Sequence, residues 1–517
     1  MSNSSRTSNA IKNISTGIIS QALQMVLGFV SRTIFIKYLA VEYLGINSLF
    51  TNILSMLSLA EMGLGSAFLY ALYKPLADKD EVVLASIIAF YKKVYQYIGA
   101  FIFITGIALL PFLDAIIPQK PAAIVEDIRL IYVLFLFNSA SSYFFSYKIS
   151  ILDADQKGSV FALSSMKFLM IQSILQIIVL ISTRSFILYL LIQIICNLGS
   201  NFYISRIIDK RYPFLLKHKN KKIDDELKEK IIKNTKATFL IKIGGVLVNG
   251  TDNIIINYFV GLAILGKYSN YVMLLSLATS ILVIFFNSVK SSITNVLFTE
   301  NKEAQSEIFS AFNFITFWLY GATSLMVIFL LNDLIVIWIG KFYVLSIEIV
   351  MVVVINFFML GMQNTFWIFK SGYGLFRHGR YMVLFTAFFN LLFSFILGSY
   401  YGIFGVLLAT FIARLITNFW YDPYVVLKLG LHQNPQMYLF KFAKYLFVLL
   451  LSGILIYCAT MFLHFQPVLN LILKSVICFI ISNGVIILFF HKTQEFKKIK
   501  SMLITIFTSI FNRNIKT

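Results

Sequence analysis

The chain runs as a succession of apolar stretches, each about the length of a membrane-crossing helix, separated by short polar segments. A helix needs about 20 residues to cross the hydrocarbon core of a bilayer. In lipid, only helices and closed barrels satisfy their own backbone hydrogen bonds. The pattern predicts fourteen spans, near 14–37, 46–70, 93–113, 125–147, 159–182, 185–206, 238–260, 268–290, 308–331, 345–369, 380–399, 402–421, 441–463 and 467–490. With 59% hydrophobic and only 13% charged residues, a water-soluble fold could not hide the apolar surface. The expected fold class is an all-α integral membrane protein with about fourteen transmembrane helices.

The net charge of +21 is written into the loops. With the N-terminus inside, the inner loops hold Lys74, Lys79, Lys92, Lys93, Lys148, Lys157, Lys370, Arg377 and Arg380, and residues 209–237 alone carry ten basic residues against five acids. The outer loops hold only Lys120, Arg184, Lys267 and Lys341. This asymmetry puts both termini in the cytoplasm. Residues 1–10 are polar and lack the apolar core of a signal peptide. The basic, amphipathic tail EFKKIKSMLITIFTSIFNR suits an anionic membrane surface better than nucleic acid.

A constant shift of 221 residues superposes Lys12-Asn13 on Lys233-Asn234, Gly45 on Gly266, Ser48 on Ser269, Ser55 on Ser276, Gly158 on Gly379 and Asn197 on Asn418. Each copy holds six spans, an even number, so the copies share one orientation as a parallel repeat. The expected organisation is a six-helix lobe over 1–206, a basic cytoplasmic linker over 207–237, and a second six-helix lobe over 238–421. A further helix pair over 422–490 and a basic tail over 491–517 follow.

The sequence has no Walker A loop, HExxH, GxSxG or Rossmann fingerprint. Its five histidines are scattered, and Cys196, Cys458 and Cys478 sit inside apolar stretches without metal spacing. No catalytic residue, metal or cofactor is expected, and the chain is not read as an enzyme.

Chemistry therefore rests on polar residues inside the spans, which normally face a bundle interior or a wet cavity because charge at a helix centre costs at least about 2.5–3.5 kcal/mol. In the first span, Gly17, Ser20, Gln21, Gln24, Gly28, Ser31 and Arg32 share one face, a band of about 120°. The seventh repeats the pattern with Thr238, Lys242, Gly245, Asn249 and Asp252. The second and eighth carry Thr51, Ser55 and Ser58, and Ser276, Thr279, Asn287 and Lys290. Small polar residues also glue helices together, but tight packing does not require the full charges of Arg32 and Asp252. Glu61 and Arg414 are further charges inside spans, whereas Lys167, Lys370 and Lys474 are read as snorkelling to an interface. Setting Arg32, Arg414 and Lys242 against Asp252 and Glu61 makes a shared cavity cationic.

Two stretches, SRTIFIKYLAVEYLGINSLFTNILSMLSLAEMGLGSAFLYALYKPLADKD over 31–80 and KIGGVLVNGTDNIIINYFVGLAILGKYSNY over 242–271, make the sequence resemble the bacterial polysaccharide repeat-unit (Wzx-type, O-antigen and capsule) flippases. These belong to the multidrug/oligosaccharidyl-lipid/polysaccharide exporter superfamily. The resemblance implies transport of undecaprenyl-pyrophosphate-linked oligosaccharide from the inner to the outer leaflet of the bacterial cytoplasmic membrane, by alternating access of two lobes around a central cavity. It implies a substrate site at Arg32, with Arg414 a candidate by depth. Gln24, Ser31, Ser55, Asn249 and Ser276 would line a polar groove, and Asp252 and Glu61 would serve for coupling to H⁺ or Na⁺. A polysaccharide polymerase and glycosyltransferases are the expected protein partners. Two alternatives remain open at this stage. A drug/cation antiporter of the same superfamily would favour an acidic cavity, and a glycan polymerase or ligase would need a long outer loop, whereas the loops near 113–124 and 332–344 are short.

Overall fold

The computed structural model describes residues 3–61, 64–118, 120–218, 221–375, 378–463, 465–502 and 504, which are helical almost throughout. The long elements of the first half are α1 (Asn3–Tyr38), α2 (Val41–Leu57), α3 (Leu64–Ala77), α4 (Glu81–Ala108), α5 (Ile128–Ser146), α6 (Gly158–Thr183), α7 (Phe186–Arg211) and α8 (Asp225–Gly250). Those that follow are α9 (Asp252–Thr299), α10 (Lys302–Ile339), α11 (Ile347–Gly372), α12 (Arg380–Ile416), α13 (Gln436–Thr460) and α14 (Pro467–Phe490). Side-chain caps fix several starts: Asp80 accepts from the Val83 N–H at 3.0 Å to open α4, and Asn301 accepts from Ala304 at 2.9 Å to open α10.

Eleven helical segments among the described residues are long and apolar enough to cross a membrane, and the chain is a multi-pass membrane protein. Two of these segments, Asp252–Thr299 and Tyr381–Gly430, run through a break and take in more than one expected stretch. The stretch expected as one span over 46–70 is two pieces of 17 and 14 residues joined by a tight 3₁₀ turn at Ser58–Glu61, each shorter than a crossing helix of about 20. The stretch over 238–260 is divided between the end of α8 and the start of α9, and α9 continues through 268–290, so that its 48 residues would make a rod about 72 Å long, more than twice the membrane core. The rod is broken at Gly261, whose φ of 81° only glycine adopts readily. Gly402, at φ 57°, breaks α12 in the same way, between the stretches expected over 380–399 and 402–421.

The chain forms two compact units, Met1–Ser269 and Asn270–Thr517. In the first, α6 packs against α1 and α7, and α5 against α4 and α7, while α8 lies on α2 and α3. In the second, α10 packs on α11 and α14, and α13 on α14. The second unit is cored by aromatic rings: Phe317 stacks on Tyr445 with centroids 4.0 Å apart, beside the buried Phe314, Phe366 and Phe369. Outward faces carry large apolar side chains such as Phe447, Leu450 and Ile454 on α13, as lipid contact requires.

The first part of the basic tail is docked on the protein. Residues 494–502 are helical and docked. Phe496 stacks on Trp318, Ile499 is buried, and Lys441 and Lys498 pair with Glu495 and Glu307 at 2.8 and 2.9 Å. Of the tail's apolar side chains, Phe496 and Ile499 pack into the core of the second unit, whereas Met502 and Ile504 are exposed. Residues 505–517 of that tail lie outside the described residues.

Candidate functional site

The polar stripe of α1 is the scaffold of the first candidate site. Ile18, Ile19, Val26 and Val30, on the opposite face, are exposed to lipid. Along the stripe itself Ser20 is buried, Gly17, Gln24 and Gly28 are exposed, and Gln21, Ser31 and Arg32 are half-buried. α1 is thus open on both sides, apolar on one and polar on the other.

Arg32 ends the stripe. Its Nη2 donates to the Ser269 hydroxyl, which donates in turn to the Gly266 carbonyl at 2.7 Å. A wall of rings stands beside it: Phe35 packs edge-on to Phe186 and Tyr189 with centroids 5.8 and 5.3 Å away, and Tyr189 lies within electrostatic reach of the guanidinium. The neighbouring Ser31 Oγ is buried with no hydrogen-bond partner among the described residues. Close passage of α2 across the start of the helix after Gly261 brings Ser269 into place. A β-carbon on Gly266 would lie 2.1 Å from the Val41 carbonyl oxygen, so only glycine permits the crossing.

Glu61 occupies a second constellation, at the break between α2 and α3. Its Oε1 accepts from the Tyr95 hydroxyl, to which the Tyr91 hydroxyl donates at 2.8 Å, and the Tyr143 hydroxyl is within hydrogen-bonding reach of Glu61 and Ser58. All three tyrosines are buried. Sequence reasoning missed them, although Tyr91 and Tyr95 stand four apart on one face of α4. A carboxylate can sit here because the broken helix leaves room and the phenols supply donors.

The other expected residues are dispersed. Asp252 is half-buried in the first turn of α9. Ser55 and Ser276 are exposed and bond to carbonyls of their own helices, Asn52 and Met273, at 2.8 and 2.7 Å. Arg414 is buried in the second unit, with Nη1 3.5 Å from the Asn356 carbonyl oxygen. The side chains of Asn249 and Lys242 lie outside the described residues. Two lysines assigned to snorkelling are paired instead: Lys370 with Asp422 and Lys474 with Asp333, both at 2.7 Å. Each carboxylate partner is distant in sequence, so no local pattern discloses it. Among the described residues, no cluster of three or more His, Cys, Asp or Glu could hold a metal ion.

No family model and no curated protein matches the sequence. Solved structures do resemble it. An inward-facing multidrug resistance MATE family transporter of the MOP superfamily aligns at TM-score 0.62 and 15% identity, over 81% of this chain and 98% of its own. The lipid II flippase MurJ in an inward closed conformation aligns at TM-score 0.64 and 17% identity, over 93% and 99%. The Vibrio cholerae MATE transporter VcmN aligns at TM-score 0.54 and 14% identity, over 84% and 99%. The chain therefore has the fold of the MOP superfamily, and these relatives by fold are transporters rather than enzymes.

Proposed function

We propose that the protein is a flippase that carries undecaprenyl-pyrophosphate-linked oligosaccharide repeat units from the inner to the outer leaflet of the bacterial cytoplasmic membrane, for capsule or O-antigen assembly. The observation that carries the reading is Arg32, a half-buried residue set inside a span at the end of a polar face that is exposed at Gly17, Gln24 and Gly28. Placing arginine there is costly, and its planar fork is suited to the paired acceptors of a pyrophosphate. Ser31, whose buried hydroxyl lacks a described partner, stands beside it with hydrogen-bonding capacity for the same group. The exposed Gln24 and Ser55 offer donors and acceptors to sugar hydroxyls. The lipid tail stays in the bilayer. Likeness to the lipid II flippase supports a lipid-linked cargo, and the two quoted sequence stretches favour the polysaccharide branch.

A drug/cation antiporter is the second reading, favoured by the fold shared with MATE transporters and by Glu61, a carboxylate inside the stretch expected as a span. Vesicles reconstituted with the purified protein separate the two. Translocation of lipid-linked oligosaccharide without efflux of a cationic dye is expected. Dye efflux driven by a proton or sodium gradient, with no movement of the lipid-linked cargo, would overturn the proposal.

A further inference from the structure

The first unit contains a cleft of about 440 Å³ that the sites above do not use. Its volume falls within the range of about 300–1,000 Å³ typical of small-ligand pockets. Two helix faces form its walls. α3 contributes Tyr70, Tyr73 and Lys74, which share a face by their spacing of three and four. α8 contributes Leu227, Lys230, Ile231 and Asn234, a run at i, i+3, i+4 and i+7 that also falls on one face. The buried Ile231 anchors α8. The end is closed by the tight turn after α3, where the Asp80 N–H donates to the Pro75 carbonyl at 2.9 Å, Lys79 adopts φ 55°, and Asp78 and Asp80 line the cleft.

The chemistry of these walls is selective. Two ammonium groups, Lys74 and Lys230, are balanced by two carboxylates, Asp78 and Asp80, so the net field favours neither an anionic headgroup nor a cationic drug. Tyr70 and Tyr73 are 64% and 49% exposed, which leaves ring surface for a ligand. A neutral polyol fits all of this at once. Its hydroxyls both donate and accept, matching carboxylates on one side and ammonium and amide donors on the other. Its flat C–H faces match tyrosine rings, which offer apolar area with a polar tip.

We propose that this cleft is a glycan-loading subsite, which holds one or two sugar residues of the cargo before its headgroup reaches Arg32. The proposal rests on the flippase reading for its physiological meaning. Both walls belong to segments with a strong basic bias, the 74–93 loop region and the 209–237 segment, expected on the cytoplasmic side where such cargo is made.

The test uses the full-length protein in lipid nanodiscs and, as probe, the water-soluble oligosaccharide released by mild acid from the producing cell's lipid-linked repeat unit. Saturable binding by the wild type is expected in titration calorimetry or saturation-transfer NMR. Tyr73→Ala should weaken it about five- to tenfold through lost stacking, and Asp78→Asn should weaken it as well. Tyr73→Phe keeps the ring and should bind as wild type does, which also controls for folding. The cleft is not the subsite if the wild type shows no saturable binding, or if Tyr73→Ala and Asp78→Asn bind like wild type because the tyrosines serve only as an interfacial belt. Vesicle translocation is scored separately. Cargo movement without cleft binding removes the subsite and keeps the flippase, whereas cleft binding without cargo movement keeps the subsite and removes the flippase.

Discussion

Gly45 and Gly266 occupy reciprocal positions in one crossing: a β-carbon on Gly45 would lie 2.1 Å from the Leu262 carbonyl oxygen, and one on Gly266 would lie 2.1 Å from the Val41 carbonyl oxygen. The shift of 221 residues that superposes Gly45 on Gly266 also superposes Val41 on Leu262. The two contacts are therefore exchanged by the 221-residue shift. Because the obstacles are backbone atoms rather than flexible side-chain ends, the helices themselves must move to admit a methyl group. Gly45→Ala and Gly266→Ala should each lower stability by about 1–3 kcal/mol, and the double variant should cost less than the sum, since either change alone already parts the helices. Thermal unfolding of the purified protein measures this. Wild-type midpoints for both single variants would show that the crossing is looser than described.

Arg32 is the sharpest functional prediction. Arg32→Ala should abolish glycan export while the protein still inserts and folds. Arg32→Lys should rescue only in part, because a point charge loses the paired hydrogen bonds of the planar fork. Glycan at the surface of cells expressing each variant at ordinary levels is the readout. Normal export by the alanine variant would make Arg32 a structural residue, tied to Ser269 for packing alone.

Orientation is tested with single cysteines in a variant lacking Cys196, Cys458 and Cys478. Cysteines placed within 209–237 or after His491 should escape a membrane-impermeant maleimide added to intact cells and react once the cells are opened. Efficient labelling of either segment from outside would reverse the topology read from the basic loops.

The docked tail has a predictable response to acid. Burial pushes the Glu495 carboxyl up, but the Lys441 hydrogen bond and charge, with the Glu495 backbone and Thr493, outweigh it and hold the group below its ordinary 4.5. A depressed pKa means that this contribution is full above the unfolded value and is lost as pH falls through the folded one. An environment-sensitive dye on Ser501→Cys should therefore report a docked tail at pH 7 and release only below about pH 4.5. Glu495→Gln should remove that transition. Release between pH 6 and 7 would implicate a different group.

How far the sequence carries can be seen helix by helix. The expected spans 125–147, 159–182 and 467–490 match α5, α6 and α14 to within a few residues, because length and hydropathy alone define a lipid-crossing helix. The break at Ser58–Glu61 was not legible, since its segment contains no proline and its scattered polar residues read equally well as one polar face of a continuous helix. Ion pairs were hidden for a different reason. Lys148 at the turn after α5 meets Asp209 near the end of α7 at 2.7 Å, and Lys370 at the end of α11 meets Asp422 just beyond α12, also at 2.7 Å. The two pairs occupy corresponding places in the two halves, yet their separations of 61 and 52 residues defeat any search at one constant shift. The candidate site was legible only as a stripe. Arg32 was visible as a costly charge, while Ser269 as its acceptor and the tyrosines around Glu61 required the fold.

The last prediction concerns what drives the cycle. With no nucleotide motif in the sequence, net flux draws on an ion gradient or on consumption of the cargo outside. A carboxylate that changes sides with a cavity can carry H⁺ or Na⁺, and Asp252 is the first candidate, with Glu61 the second. Asp252 is one repeat shift from Ser31 and adjoins Asn253, the equivalent of Arg32, which makes it the counterpart of the Arg32 position in the second copy. If Asp252 carries the coupling, cargo binding and ion binding there alter each other's affinity by the same factor. A fixed Arg–Asp tie between the copies is the competing role. Asp252→Asn, reconstituted in vesicles under an imposed proton or sodium gradient, separates them. Loss of gradient dependence with cargo still bound assigns coupling to Asp252. An unchanged response moves the assignment to Glu61, where Glu61→Gln should abolish the dependence, and weakened folding with no change in gradient response identifies the fixed tie.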